Sequence, residues 1–199
     1  MTSGDLPLGT VSFLFSDIEG STRMIQELGD AFRPVLERHN TIVHEAAAGH
    51  RGRIVKNEGD GFFVAFQSAL DAVSSAVEIQ RRLAAEEWQS PQDVTVRIGV
   101  HTGEGRLGGS DYVGIDVHRA ARIGDSGHGG QTLVSEATAR LVEYSLPEGS
   151  RLEDLGTHRL RDLTHEEHIF QLSVEGLPTE FPPLRTLTSS KGNLPIRDL

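Results

Sequence analysis

Two aspartates and their neighbours carry the strongest chemical signal in this 199-residue sequence. Asp17 stands in Phe15-Ser16-Asp17-Ile18-Glu19-Gly20-Ser21-Thr22, at the end of an apolar, β-rich run, and Asp60 stands in Lys56-Asn57-Glu58-Gly59-Asp60-Gly61. Hard oxygen donors suit Mg2+ or Mn2+, above all where a substrate's phosphates complete the coordination shell. The turn Glu19-Gly20-Ser21-Thr22 opens a helix, and the unpaired N–H groups at a helix start donate to phosphate oxygens. Either aspartate alone reads as an ordinary turn or cap residue. The pair, one followed by Gly-Ser-Thr and the other flanked by glycine, reads as a functional site.

A third segment, Asp111-Tyr112-Val113-Gly114-Ile115-Asp116-Val117-His118-Arg119-Ala120-Ala121-Arg122, follows downstream. His118 and Arg122 lie four residues apart on a predicted helix and so share a face. In order and approximate spacing, the three segments resemble the two metal motifs and the transition-state segment of class III adenylyl and guanylyl cyclases. The resemblance runs over about residues 10–172.

The resemblance implies two divalent metal ions, Mg2+ or Mn2+, held by Asp17, Asp60 and Ile18, the last through its main chain. It places the phosphates at Ile18, Glu19, Gly20, Ser21 and Thr22. It makes Arg122 the cation that stabilises charge on the reacting phosphate, a strong catalytic device where fixed donors face developing charge. His118 departs from the pattern, since the family more often has an asparagine there to place the ribose; histidine can still donate a hydrogen bond. Arg161, in His158-Arg159-Leu160-Arg161-Asp162, matches the late basic residue that contacts the terminal phosphates, with Arg159 as a competing choice. Lys56 and Asp111 fall at the base-selecting positions. Lysine only donates and ionised aspartate only accepts. Together they suit the N1 acceptor and 6-amino donor of adenine, and guanine reverses both. ATP is therefore the expected substrate, and 3′,5′-cyclic AMP with pyrophosphate the expected products.

The family shares each site between two subunits, with metal ligands from one and Lys56, Asp111, His118 and Arg122 from the other. One chain carrying both halves implies a homodimer with two identical sites. Three other readings stay open. One is an ATP-binding, cyclase-like regulatory module in which His118 has cost the activity. Another is a non-enzymatic dimerisation domain. The third, a diguanylate cyclase, shares the strand order but requires a Gly-Gly-Asp/Glu-Glu-Phe hairpin where this sequence has Glu58-Gly59-Asp60-Gly61-Phe62.

The elements that must position these residues follow from periodicity and breakers. Residues 10–16 read as a buried strand, and 21–28 as a helix broken by Gly29. Asp30 reads as the cap of a second helix running to about Ala48. Strands at 53–56 and 62–66 flank a hairpin turn at 57–61. Ser68 with Asp71 resembles a capping box opening a helix to about Glu87, and 94–101 is a strand. This β-α-β-β-α-β order is ferredoxin-like within an α/β (α+β) class. Residues 105–116 read as a Gly-rich loop, 117–123 as a short helix, 131–134 as a strand and 135–142 as a helix, with short strands in 151–173. The cyclase domain is expected to span 1–174. The proline-containing stretch 175–199 reads as a tail or linker stub, with Lys191-Gly192-Asn193-Leu194-Pro195 leaving room for a regulatory domain beyond it.

Composition narrows the classes. A net charge of −10 excludes a generic nucleic-acid binder, which needs a basic surplus. The absence of cysteine excludes thiolate chemistry and disulfides. No apolar stretch approaches the roughly 20 residues that span a bilayer, and no secretory leader pattern opens the chain. A cytoplasmic protein without membrane insertion is expected.

Overall fold

A computed structural model describes residues 6–90, 93–109 and 111–190. Its centre is β1 (Gly9–Ile18), paired antiparallel with β3 (Gly61–Phe66) on one side and β4 (Val96–Gly108) on the other. Alternation along a strand sends successive side chains to opposite faces. Leu14 and Ile18 join the main core, with Phe62, Val64 and Phe66 of β3. Val11, Phe13 and Phe15 join a second cluster with Phe63 and Tyr112. Asp17 continues this odd-numbered series, so the strand delivers it away from the main core.

The main core is closed by α2 (Phe32–Gly49) and α3 (Ala69–Ala85), which contribute Val35, Ile42, Val43, Val73, Ala76 and Ile79 among others. Helix α1 (Ser21–Leu28) follows β1 through Gly20, whose φ of 73° is a left-handed conformation that glycine adopts without strain. The remaining elements are β2 (Arg53–Glu58), β5 (Asp111–Val113), α4 (Ile115–Asp125), β6 (Thr132–Ser135), α5 (Glu136–Val142), β7 (Ser150–Arg159), β8 (Glu167–Val174) and β9 (Thr188–Ser190). The sheet order is β2-β3-β1-β4-β6-β8-β7-β9, with β5 attached to the far end of β4. Among the described residues only the β4–β6 pairing is parallel.

Helix α4 lies unusually close to the sheet. A Cβ on Gly99 of β4 would collide with the main chain of Ala120 and Gly124, so this contact requires glycine. The helix buries Ala120 and Ile123 there and leaves His118 exposed.

Three expectations need correction. Residues 105–116 do not form a loop: β4 continues to Gly108 and pairs with β5 as a hairpin, followed directly by α4. Two of the glycines that suggested a loop mark close approaches instead: a side chain at Gly105 would strike Val11 and Tyr112, and one at Gly108 would strike Val113. Gly109 and Gly114 do serve turns, with φ of 76° and 121°. Asp30 does not cap α2; a 3-10 turn at Gly29–Ala31 leads in, and no side chain caps the helix. The short strands expected in 151–173 are two long ones, β7 and β8, ten and eight residues in length. Ser68 does cap α3, accepting from the Asp71 N–H at 3.4 Å.

The stretch from 175 is laid back over the domain. Gln171 donates to the Thr179 carbonyl at 2.7 Å, Leu184 packs on the Ile123–Leu133–Ile169 cluster, and β9 pairs with β7. Lys191-Gly192-Asn193-Leu194-Pro195 lies outside the described residues.

Candidate active site

Asp17 and Asp60 come together at one end of the sheet. The β2–β3 turn projects Asp60 toward the end of β1, where its Oδ2 accepts the Ile18 N–H at 3.0 Å. Both oxygens of Asp17 are held by Arg97, through Nε at 2.7 Å and Nη2 at 2.6 Å. The two residues face each other across the β1–β4 ladder, and the guanidinium presents two parallel donors to the carboxylate. The same arginine reaches the Asp125 carbonyl at 3.4 Å.

Behind the carboxylates lies His39 of α2, fully buried, with its ring edge-on to Phe62 at 5.8 Å. Burial lowers its pKa, opposed by the Asn40 hydrogen bond and by the charges of Asp60 and Asp17. Both carboxylates are therefore within electrostatic reach of one ring. Among the described residues no group of three or more His, Cys, Asp or Glu is placed to hold a metal. Two convergent carboxylates with a main-chain carbonyl make an all-oxygen set that fits Mg2+ or Mn2+ when substrate oxygens supply the rest.

A cleft of about 280 Å³ opens at this point, lined by Phe15, Asp17, Lys56, Glu58, Phe63 and Asp125 among others. Stacked Phe15 and Phe63, 4.4 Å apart, give it an apolar wall. Lys56 reaches the cleft, but its ammonium pairs with Glu58 at 2.9 Å rather than with Asp111. Asp111 accepts its neighbour's Tyr112 N–H at 2.6 Å and acts on Lys56 only through its charge. Past Asp17, α1 starts at Gly20 with no side chain capping it, so its first N–H groups keep their capacity for an anion.

Arg122 lies in an adjoining cavity of about 510 Å³ with Arg97, Arg161 and Arg185. Its guanidinium is shared between Asp125 at 2.9 Å and Asp162 at 2.8 Å. Arg161 lines that cavity, whereas Arg159 belongs to β7 and gives its carbonyl to the Leu187 N–H. Within one chain, Asp17 and Lys56 thus line the cleft, and Asp60 is tied to the Ile18 N–H immediately beside Asp17. Arg122 and Arg161 stand next door, and His118 points to solvent one helical turn before Arg122.

Sequence reasoning missed Arg97 and Arg185. The signal for Arg97 is the strand register that sets it opposite Asp17, which exists only once β1 and β4 are aligned. Arg185 carried no such signal, since it sits in the stretch read as a tail.

The pattern of the adenylate and guanylate cyclase catalytic domain matches residues 6–173. An uncharacterized protein of Mycobacterium tuberculosis is 39% identical over 186 residues, covering 92% of this chain and 63% of its own length. The chain thus spans less than two thirds of that relative. An adenylate cyclase of Lachancea kluyveri is 31% identical over 65% of this chain and 8% of its own. Among solved structures, an adenylate cyclase of Trypanosoma brucei in its monomeric state superposes with a TM-score of 0.76 at 24% identity, covering 94% of this chain and 98% of that one. Two converging carboxylates, an uncapped helix start beside them and a match over nearly the whole fold lead to one assignment: this chain belongs to the family of adenylate and guanylate cyclase catalytic domains.

Proposed function

We propose that this domain converts ATP to 3′,5′-cyclic AMP and pyrophosphate, at sites shared across a homodimer. The observation that carries the reading is the bond from the Ile18 N–H to Asp60, which sets Asp60 beside Asp17, next to a cleft that Asp17 and Lys56 line. Divalent ions held there would acidify the ribose 3′-hydroxyl and neutralise the triphosphate.

The chain's own groups do the rest. Main-chain N–H groups of Gly20, Ser21 and Thr22 receive phosphate oxygens. Lys56 donates to adenine N1, and Asp111 accepts from the 6-amino group. A guanine in this place would set donor against donor and acceptor against acceptor, a mismatch that gives large discrimination when buried. Arg122 and Arg161 supply fixed positive charge to the reacting and terminal phosphates, and His118 donates to the ribose. The apolar Phe15–Phe63 wall fits a flat base. The cyclase match of the pattern and of the Lachancea kluyveri relative supports the reaction class.

The deciding assay incubates the protein with ATP or GTP and Mn2+ or Mg2+ and identifies the products. Cyclic AMP as the main product is expected; cyclic GMP as the main product overturns the base assignment. The shared site is tested by mixing Asp17→Ala with Arg122→Ala protein. Each parent is expected to be inactive and the mixture to regain partial activity. A dead mixture beside an active wild type removes the shared-site model.

A further inference from the structure

Glu19 poses an electrostatic problem. It is an acidic side chain inside the turn that is to receive a polyphosphate, one residue before the uncapped start of α1. A free carboxylate there would repel the substrate. The structure shows how its charge is engaged. Oε2 accepts the Gly129 N–H at 3.0 Å, and Oε1 is ion-paired with the guanidinium of Arg185. The Glu19 N–H donates to the Thr95 carbonyl at 2.9 Å. The socket is close-fitting: a Cβ on Gly129 would overlap both Thr95 Oγ1 and the Glu19 carboxylate, so glycine is needed for the acid to lie there.

Arg185 comes from beyond the stretch that the family pattern covers, which ends at residue 173. It is nevertheless fixed in place. Its N–H donates to the Ser126 carbonyl at 2.9 Å, and its guanidinium lies 3.1 Å from His128 Nδ1. On either side, the Pro183 carbonyl meets His128 Nε2 at 3.1 Å and the Leu187 N–H donates to the Arg159 carbonyl at 3.0 Å.

We propose that Arg185 is a positioning residue for the nucleotide site: through Glu19 it latches the turn carrying Asp17 and the phosphate-binding N–H groups, and keeps the Glu19 charge off the path of the phosphates. This inference rests on the cyclase reading of that turn. It adds a residue from outside the matched domain to the same site. Arg185 and Glu19 are partly exposed, at 45% and 34% of their side-chain surfaces, so the coupling is moderate rather than all-or-none.

The test is a double-mutant cycle on the full chain, with Arg185→Gln, Glu19→Gln and the pair, plus Arg185→Lys. KM for ATP, kcat, thermal midpoint and the affinity for a non-cyclisable ATP analogue with Mn2+ are read for each. Arg185→Gln is expected to raise KM and weaken analogue binding by roughly threefold to tenfold, with a smaller change in kcat. Arg185→Lys should restore part of the loss. In the double variant the loss should be no greater than in Arg185→Gln alone, because the charge that Arg185 restrains is gone. Additive losses would mean that Arg185 acts on substrate directly and not through Glu19, and would overturn the proposal. So would a lowered thermal midpoint with KM and analogue affinity unmoved. A wild-type protein that neither turns over nor binds nucleotide would sink the cyclase reading and this proposal with it, whereas an active wild type with an unmoved Arg185→Gln would sink this proposal alone.

Discussion

Arg97 occupies both carboxylate oxygens of Asp17, with Nε and Nη2 at 2.7 and 2.6 Å. A divalent ion that takes Asp17 as ligand would compete with Arg97 for the charge and lone pairs of the same two oxygens. Arg97 is 22% exposed and Asp17 35%, so the pair is half-shielded and the exchange is coupled to site assembly. An arginine released from Asp17 in that exchange would be free to meet phosphates of the proposed substrate.

This exclusion predicts opposite effects on metal and nucleotide. Arg97→Gln should tighten Mn2+ binding in the absence of nucleotide, by roughly threefold or more as a competing cation is removed. KM for ATP should rise in the same variant. Calorimetric titration with Mn2+ and steady-state kinetics check the two halves. A variant that binds Mn2+ no better than wild type contradicts the competition.

Glu58 holds the ammonium of Lys56 at 2.9 Å, and the proposed function would have that ammonium meet a base. Exposed ion pairs of this kind are weak. Glu58→Gln should therefore lower KM for ATP by less than about fivefold, with kcat little changed. An increase in KM would show that Glu58 helps to orient Lys56 instead of competing for it.

His101 predicts a pH dependence of stability. It is buried, with Nδ1 on Ser135 Oγ at 2.8 Å and Nε2 3.3 Å from Asp116, which also pairs with Arg119. Burial and the Arg119 charge push its pKa down to about 4, against the favourable Asp116. A depressed histidine binds its proton more readily when unfolded. Its contribution is thus complete above about pH 6.5 and is lost as pH falls toward 4, by about 3 kcal/mol over that window. Chemical denaturation at pH 7.5 and 4.5 should show a steeper loss for wild type than for His101→Gln. Equal slopes would contradict the assignment.

Gly99→Ala tests the α4 contact. The added methyl would press on the Ala120 and Gly124 main chain, which has no flexible end to yield. A loss of about 2–4 kcal/mol in stability is expected. Cyclase activity should also fall, because α4 carries Arg122. A variant with wild-type melting and wild-type turnover would show that the helix can shift without consequence.

Much of this architecture was legible from residue types alone. The strand before Asp17, the hairpin around Asp60 and helices α1 to α3 each have local signals: apolar runs, Gly-Asp turns and a Ser68 cap. The glycines at 105 and 108 misled, because a glycine demanded by a neighbour's bulk looks the same in sequence as one demanded by a turn. The cation at Asp17 was invisible for a different reason. Asp17 and Arg97 are 80 positions apart, and only the β1–β4 register makes them a pair. Arg185 was hidden because its anchoring depends on main-chain bonds to Ser126 and Arg159, which no side-chain pattern announces.

The glycine contact between β4 and α4 has a mechanical meaning. Backbone rests on backbone at Gly99 and Gly124, so no side chain there can change rotamer to act as a hinge. Asp17 on β1, Arg97 on β4 and Arg122 on α4 consequently ride on one rigid block. If the domain turns over as proposed, a change in its rate would come more readily from sliding this block past another, or from the loops at its rim, than from bending the β4–α4 contact itself.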